Sequence, residues 1–202
     1  MLVVTRRYIQ ALSGFFLVIF IFVHLLGITL ALISPYEFEK YSALLHKNQF
    51  LPYLELSIVF SFIVHIYLTV DKYFINNSKG NSVSLKSKRK DLIATFSSSI
   101  QPYSGAIILL FLIVHLLQLR FPRPIENQEL LHLKFILGSA ENSILYAAAS
   151  IFLVFHLIHG IESAHRSSGL LNSDNILSIR FIGRFTSIMI GISFFVLIFL
   201  LR

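Results

Sequence analysis

Two apolar stretches of the sequence read alike: residues 10–26 are QALSGFFLVIFIFVHLL and residues 101–117 are QPYSGAIILLFLIVHLL. Gln, Ser, Gly and the triplet His-Leu-Leu recur at one constant offset, which is the distance of 91 residues from His24 to His115. The same offset carries His65 onto His156. It also carries Asp71 onto Glu162, the acidic residue that ends each apolar stretch. The chain therefore contains two copies of one unit, and each copy places two histidines in apolar sequence.

The composition places the chain in a membrane. Of its 202 residues 55% are hydrophobic and only 13% are charged, and the mean hydropathy is +0.76, whereas a soluble domain needs more polar surface. Each apolar run is near the roughly 20 residues that cross a bilayer core as a helix; the runs occupy about 8–33, 53–70, 102–119, 143–161 and 181–201. The sequence predicts an all-α membrane protein with five transmembrane helices in a single domain, 1–202.

The charged residues predict an orientation. With the N-terminus inside, eleven of the 17 lysines and arginines lie in inner segments and six in outer ones, so the positive-inside rule favours N-in and C-out. The polar segment from about Asp71 to Asp91 is then a flexible cytoplasmic loop. The net charge of +7 is topogenic in this interpretation, and we expect no nucleic-acid partner. The lack of cysteine excludes disulfides, Cys-ligated iron–sulfur clusters and covalently attached haem.

The repeat predicts how the four histidines pair. Two copies with the same orientation are related by an axis along the membrane normal, which brings His24 opposite His115 and His65 opposite His156. At a helical rise of 1.5 Å per residue, His24 and His115 lie ~21–24 Å from the inner boundary, and the other two lie ~9 Å from it. The sequence therefore specifies two histidine pairs on two levels, ~12–15 Å apart.

Paired imidazoles inside a membrane indicate haem. Neutral imidazole is a standard axial ligand of haem iron, and two imidazoles saturate it, so spans one to four are predicted to form a four-helix bundle with two b-type haems that transfer electrons. A single intramembrane histidine is often a helix contact or a proton-relay residue, so a non-redox transporter stays an alternative. His159 competes with His156 as the ligand on span four. Candidates for contacts to the haem propionates are Gln10, Gln101, His159, His165 and Arg166.

The sequence resembles the five-helix, two-haem cytochrome b subunit of succinate dehydrogenases and fumarate reductases. The resemblance rests on Arg6 and Arg7 before span one, on one histidine in each of spans one to four with their spacings, on a ligand-free fifth span, and on the His-x-x-x-Gly that ends at Gly160. It implies a proximal, inner haem on His65 and His156 and a distal, outer haem on His24 and His115. Some fumarate reductases carry a proton-conducting Glu where this chain has Val154, which puts that route in doubt.

The resemblance also implies partners. They are a flavoprotein subunit with FAD and an iron–sulfur subunit, on the cytoplasmic face of a bacterial cytoplasmic membrane, with menaquinone or ubiquinone as the electron partner. Succinate chemistry would belong to those subunits and not to this chain. Glu37, Glu39 and Glu55 are candidates for the quinone site, or else solvated acids. The alternative within redox proteins is the di-haem b subunit of a nitrate reductase or hydrogenase.

Overall fold

The computed structural model describes residues 2–78, 91–122 and 128–202. Across these ranges the chain is helical, without a strand. Its helices are α1 (Leu2–Ile33), α2 (Pro35–Lys47), α3 (Leu51–Ser78), α4 (Leu92–His115), α5 (Glu129–Gly138), α6 (Ala140–Ser167) and α7 (Ile176–Leu200), and a π-helical turn (Leu116–Arg120) continues α4. Five helices (α1, α3, α4, α6 and α7) are long and apolar enough to cross a membrane. The predicted all-α fold and the predicted number of membrane-spanning helices are confirmed.

Two predicted boundaries are wrong. Helix α3 continues to Ser78, so residues 71–78 are helical and not a loop, because Asp71 is held by Arg6 at 2.7 Å and the helix carries aromatic residues beyond it. Residues 79–90 of the predicted loop lie outside the described residues. Helix α4 begins about ten residues before the predicted span, where the Asp91 side chain accepts the N–H of Ala94 at 3.2 Å and caps the helix.

Two short helices, α2 and α5, were not predicted, because neither is long enough to be a span. Helix α2 follows an N-cap, Ser34, whose hydroxyl accepts the N–H of Glu37, and has Pro at its first position. The Glu39 carboxylate on α2 accepts the N–H groups of Glu129 (3.3 Å) and Leu130 (2.9 Å) at the start of α5. A side chain of one short helix therefore caps the other.

The spanning helices pack as two hairpins and a fifth helix. Helix α1 packs on α3, α4 packs on α6, and α1 also contacts α6 and α7. Helix α7 lies on α6 through small residues spaced by four: Gly183, Ser187 and Gly191. A Cβ at Gly191 would lie 2.1 Å from Val154 Cγ2. Since small residues let two backbones approach closely, α7 is tightly seated on α6.

Arginine–carboxylate pairs join the helices at the end of the bundle where α1 begins, which we call the amino-terminal end. Arg6 pairs with Asp71, its repeat counterpart Glu162 pairs with Arg166 (2.5 Å) and Arg180 (3.2 Å), and Arg184 pairs with Asp91. Burial alone would raise the pKa of Asp91, but the hydrogen bond and charge of Arg184 outweigh it and hold the pKa below its ordinary value. These pairs tie α3 to α1 and α7 to both α4 and α6.

Candidate functional site: two histidine pairs

The four histidines of spans one to four meet in two pairs. The ring centroids of His24 on α1 and His115 on α4 are 5.9 Å apart. Those of His65 on α3 and His156 on α6 are 6.5 Å apart. The structure therefore brings together the residues that the repeat relates, and each pair joins one copy of the repeat to the other.

These separations suit a metal ion between the rings. An imidazole nitrogen lies about 2 Å from a bound metal, and the ring centre lies about 1 Å further, so two axial ligands on one haem iron have centroids about 6 Å apart. Both observed separations are close to this value. Within the described residues no group of three or more His, Cys, Asp or Glu side chains is placed to hold a metal.

The two pairs lie on different levels of the bundle. A Cβ at Gly14 would lie 3.4 Å from Cε1 of His65, and one at Gly105 would lie 3.4 Å from Cε1 of His156. Each glycine precedes a histidine of the other pair by ten residues, which is about 15 Å of helix. We call His65 and His156 the amino-terminal pair, and His24 and His115 the distal pair.

In the amino-terminal pair, Nδ1 of His156 lies beside a hydroxyl and an amide group. The Ser104 hydroxyl lies 3.3 Å from Nδ1 of His156 and donates its own proton to the Gln101 carbonyl at 2.9 Å. When Nδ1 carries the ring proton, this hydroxyl is its acceptor, and Nε2 keeps the lone pair that metal binding requires. The Gln101 amide is 3.2 Å from Nδ1, and its Oε1 is buried without a hydrogen-bond partner. Exchanging the amide N and O would give Nδ1–H a second acceptor.

The surroundings of His65 are built in the same way by the other copy of the repeat. The Ser13 hydroxyl lies 3.4 Å from Nδ1 of His65 and donates to the Gln10 carbonyl at 3.0 Å. The Gln10 amide donates to the Thr69 hydroxyl (3.1 Å), which donates to the His65 carbonyl (2.7 Å). Gln10 and Gln101, predicted as propionate contacts, thus lie against the helices that carry the amino-terminal pair.

Aromatic rings surround the distal pair instead. Phe20 stacks on His24 with centroids 5.6 Å apart, and Phe111 lies 5.4 Å from His115. Tyr146 is 5.8 Å from His115, whose Nδ1 is buried without a hydrogen-bond partner. The side chains around the two pairs therefore differ. They are polar around the amino-terminal pair and aromatic around the distal pair.

Sequence reasoning missed most of the residues that surround the histidine pairs, although these residues recur in the repeat. Serine and glycine recur in both copies beside the amino-terminal pair, and phenylalanine recurs one turn before each distal histidine. The residues concerned are Ser13, Ser104, Gly14, Gly105, Phe20 and Phe111. A repeat that maintains small, hydroxyl and aromatic residues together with the histidines indicates that each site is built from two equivalent halves, one from each copy.

The predicted propionate contacts on α6 lie at the amino-terminal end. His156 is the α6 histidine that faces His65, whereas His159 and Arg166 line a cavity of about 260 Å³ together with Ser97 and Ser98. His165 donates from Nδ1 to the Ile161 carbonyl at 2.8 Å, and its ring meets the edge of Phe15 at 4.9 Å. Arg166 is also paired with Glu162. His159 and Arg166 thus face a shared cavity, while His165 is bound to its own helix.

The three carboxylates predicted near quinone lie toward the opposite end and have separate surroundings. Glu55 on α3 accepts two hydrogen bonds from Arg120, at 2.7 and 2.8 Å, and ties α3 to the π-helical turn. Glu39 lines a cavity of about 810 Å³ between α2 and α5. Burial and the neighbouring carboxyl of Glu129 raise the pKa of Glu39. Glu37 is exposed on the first turn of α2.

A polar network adjoins the distal pair. The Tyr146 hydroxyl donates to Gln118 Oε1 at 3.1 Å, and the Gln118 amide donates to Asn142 Oδ1 at 2.8 Å. Gln118 lies in the π-helical turn that follows His115, and such turns are frequent at functional sites. Comparison of the chain with protein-family models, with characterised proteins and with solved structures finds no match.

Proposed function

We propose that the chain is a membrane cytochrome b that holds two b-type haems and passes electrons between them. The observation that carries the proposal is the pair of repeat-related imidazole pairs, with centroids 5.9 and 6.5 Å apart. His24 and His115 would ligate one haem, and His65 and His156 the other. Because two imidazoles fill both axial positions, neither iron has an open site, and the haems supply electron transfer and not substrate chemistry.

The residues around the pairs support the proposal. The hydroxyls of Ser13 and Ser104 lie 3.4 and 3.3 Å from Nδ1 of His65 and His156, where they would accept Nδ1–H in the tautomer that leaves Nε2 for iron. A Cβ at Gly160, one turn after His156, would meet nothing within 4 Å, which leaves room beside that ligand. The cavity lined by His159 and Arg166 supplies donors for a carboxylate at the amino-terminal end, as a haem propionate requires.

The specific assignment is the membrane anchor of a succinate:quinone oxidoreductase. In that assignment the amino-terminal end faces the bacterial cytoplasm and docks an iron–sulfur subunit, which receives electrons from an FAD-containing flavoprotein. The basic residues of this end favour the inside orientation. Quinone would react at the opposite end, where the Tyr146–Gln118 network and the Glu39 cavity adjoin the distal pair. The di-haem subunit of a nitrate reductase or hydrogenase is the second candidate.

Spectroscopy of histidine variants tests the haem proposal. The purified chain is expected to show a b-type reduced-minus-oxidised spectrum. Replacing His24 or His115 by Ala should remove one haem, and replacing His65 or His156 should remove the other. Replacing His46, an exposed residue of α2, is the matched control and should leave both haems in place.

Two other outcomes decide between the alternatives. A colourless protein with intact helical content would refute haem binding and favour a transporter whose histidines relay protons. If the His24 and His65 variants lose the same haem, the proposed pairing is wrong. Co-purification of a succinate-oxidising flavoprotein from native membranes would select the succinate:quinone assignment over the nitrate reductase or hydrogenase assignment.

A further inference from the structure

Helix α3 carries an exposed stripe with a seven-residue period. Aromatic residues recur at every seventh position, and aliphatic residues recur between them. Each is 46% to 72% exposed, and we call these residues the α3 stripe: Tyr53, Leu56, Phe60, Ile63, Tyr67, Val70 and Phe74. Aromatic residues thus take one core position of a heptad and aliphatic residues take the other, which is the pattern of a helix that packs along another helix.

The repeat shows that part of the corresponding face of the other hairpin is covered, although Ile144 and Ile151, the counterparts of Tyr53 and Phe60, are 69% and 48% exposed. Helix α6 is the counterpart of α3, and it contacts the glycines of α7 through Ser150, Val154 and Ile161. At the offset of 91 residues, their counterparts on α3 are Val59, Ile63 and Val70, which are 46% to 59% exposed. One copy of the repeat therefore has a helix on part of this face, and the other copy presents the counterparts of that part exposed.

The residue pattern and the area of the α3 stripe favour a helix as its cover. The packing of α3 on α1 already spaces its exposed positions by three and four residues, so the indication of a covering helix is the alternation of aromatic and aliphatic residues at those positions. At about 150–250 Å² for a whole aromatic side chain, the seven exposed side chains offer on the order of 800 Å², which is about what each partner of a stable interface buries. The stripe contains no charged residue, so covering it strands no charge in the membrane.

We propose that the α3 stripe is the interface on which α3 of a second copy of this chain packs. Two copies inserted in one membrane share their orientation, so the two α3 helices meet in parallel about a twofold axis along the membrane normal. An interface in which one surface meets itself closes at two subunits, whereas α3 packed on a different face of the next copy would propagate. Helix α7 already uses its small-residue face on α6 of its own chain.

Cysteine cross-linking tests the proposal, and the chain has no cysteine of its own. Leu56→Cys and Ile63→Cys place single thiols on the α3 stripe. Ile188→Cys is the matched control, since Ile188 is 42% exposed and lies at the middle of α7 as Ile63 lies at the middle of α3. When membranes are treated with an oxidant, both stripe variants should form a disulfide-linked dimer, because equivalent residues of two parallel helices come close enough for a disulfide. A reductant should return this dimer to monomers. The control should stay monomeric.

Several results would overturn the proposal. They are no dimer from either stripe variant, equal cross-linking of Ile188→Cys, or an adduct whose mass is not twice that of the chain. Light scattering supplies a second readout. Combining Phe60→Ala with Tyr67→Ala should halve the protein mass of the purified particle. Neither readout depends on haem, so a cross-linked but colourless protein would refute the proposed function and leave the interface standing.

Discussion

Replacing Ser104 by Ala tests whether the hydroxyl beside His156 helps this histidine to bind haem iron. The substitution removes the hydroxyl that lies 3.3 Å from Nδ1 of His156. Ser104 is fully buried, so water cannot replace its oxygen. The Thr variant retains a hydroxyl at this position, and the Ala variant retains only the Cβ.

The expected loss of haem affinity follows from the loss of a hydrogen-bond acceptor for Nδ1. A buried N–H without a partner costs about 1–3 kcal/mol, and loss of a ligand's hydrogen-bond partner typically lowers metal affinity about 10- to 100-fold. Because the Gln101 amide nitrogen lies 3.2 Å from Nδ1, and a turn of the amide would bring its oxygen there as an acceptor, we expect an effect near the lower limit, about 10-fold. Combining Ser104→Ala with Ser13→Ala removes both acceptors and should approach about 100-fold.

The assay is transfer of haem from the purified protein to an excess of a soluble haem-binding protein, followed by absorbance. The ring contacts described for His24 and His115 are all aromatic, so a haem held by the distal pair would serve as the internal control. We expect the haem of the amino-terminal pair to leave about ten times faster from Ser104→Ala, the distal haem to be unaffected, and Ser104→Thr to resemble the wild type. Equal loosening of both haems, or a Thr variant as defective as Ala, would show that the serine acts through packing and not through the tautomer.

Two further predictions concern stability. Gly191→Ala should lower the free energy of unfolding by about 1–3 kcal/mol, because the new Cβ would lie 2.1 Å from Val154 Cγ2. Gly138→Ala is the control and should leave the free energy of unfolding unchanged, because its Cβ would have nothing within 4 Å. Equal melting temperatures of the two variants in detergent would contradict the close α6–α7 contact. The lowered pKa of Asp91 means that its pair with Arg184 stabilises the fold above about pH 4 and is lost as the pH falls through that pKa. Asp91→Asn should therefore remove part of the acid sensitivity of unfolding, and an unchanged pH profile would count against that pair.

The sequence was sufficient for the spans and for the meeting of the histidines. Hydropathy over about 20 residues identifies a span without further information, and the repeat relates His24 to His115 by symmetry alone. Helices α2 and α5 escaped because a short helix is stabilised by contacts that hydropathy does not show. The carboxylate of Glu39 that caps α5 comes from 90 residues away along the chain.

The direction in which a side chain points is a second feature that the sequence does not predict. Sequence gives the depth of Gln101 in the membrane but not the side of the helix on which its amide lies. It was therefore predicted at the rim, with the propionates, whereas its amide lies against His156. The end of α3 was misplaced for a related reason. A polar residue such as Asp71 ends a hydropathy run, but a helix continues when that residue is paired, here with Arg6.

Each histidine pair takes one ring from either copy of the repeat, and this has a consequence for assembly. If the pairs bind haem, neither hairpin contains a complete coordination site, and each haem gains its second ligand only once the hairpins have docked. Haem binding would then favour the docked form by mass action, and each haem would hold together two halves that are also joined by the Glu55–Arg120 pair. Cofactor supply during membrane insertion would therefore control how much of the protein reaches its assembled state.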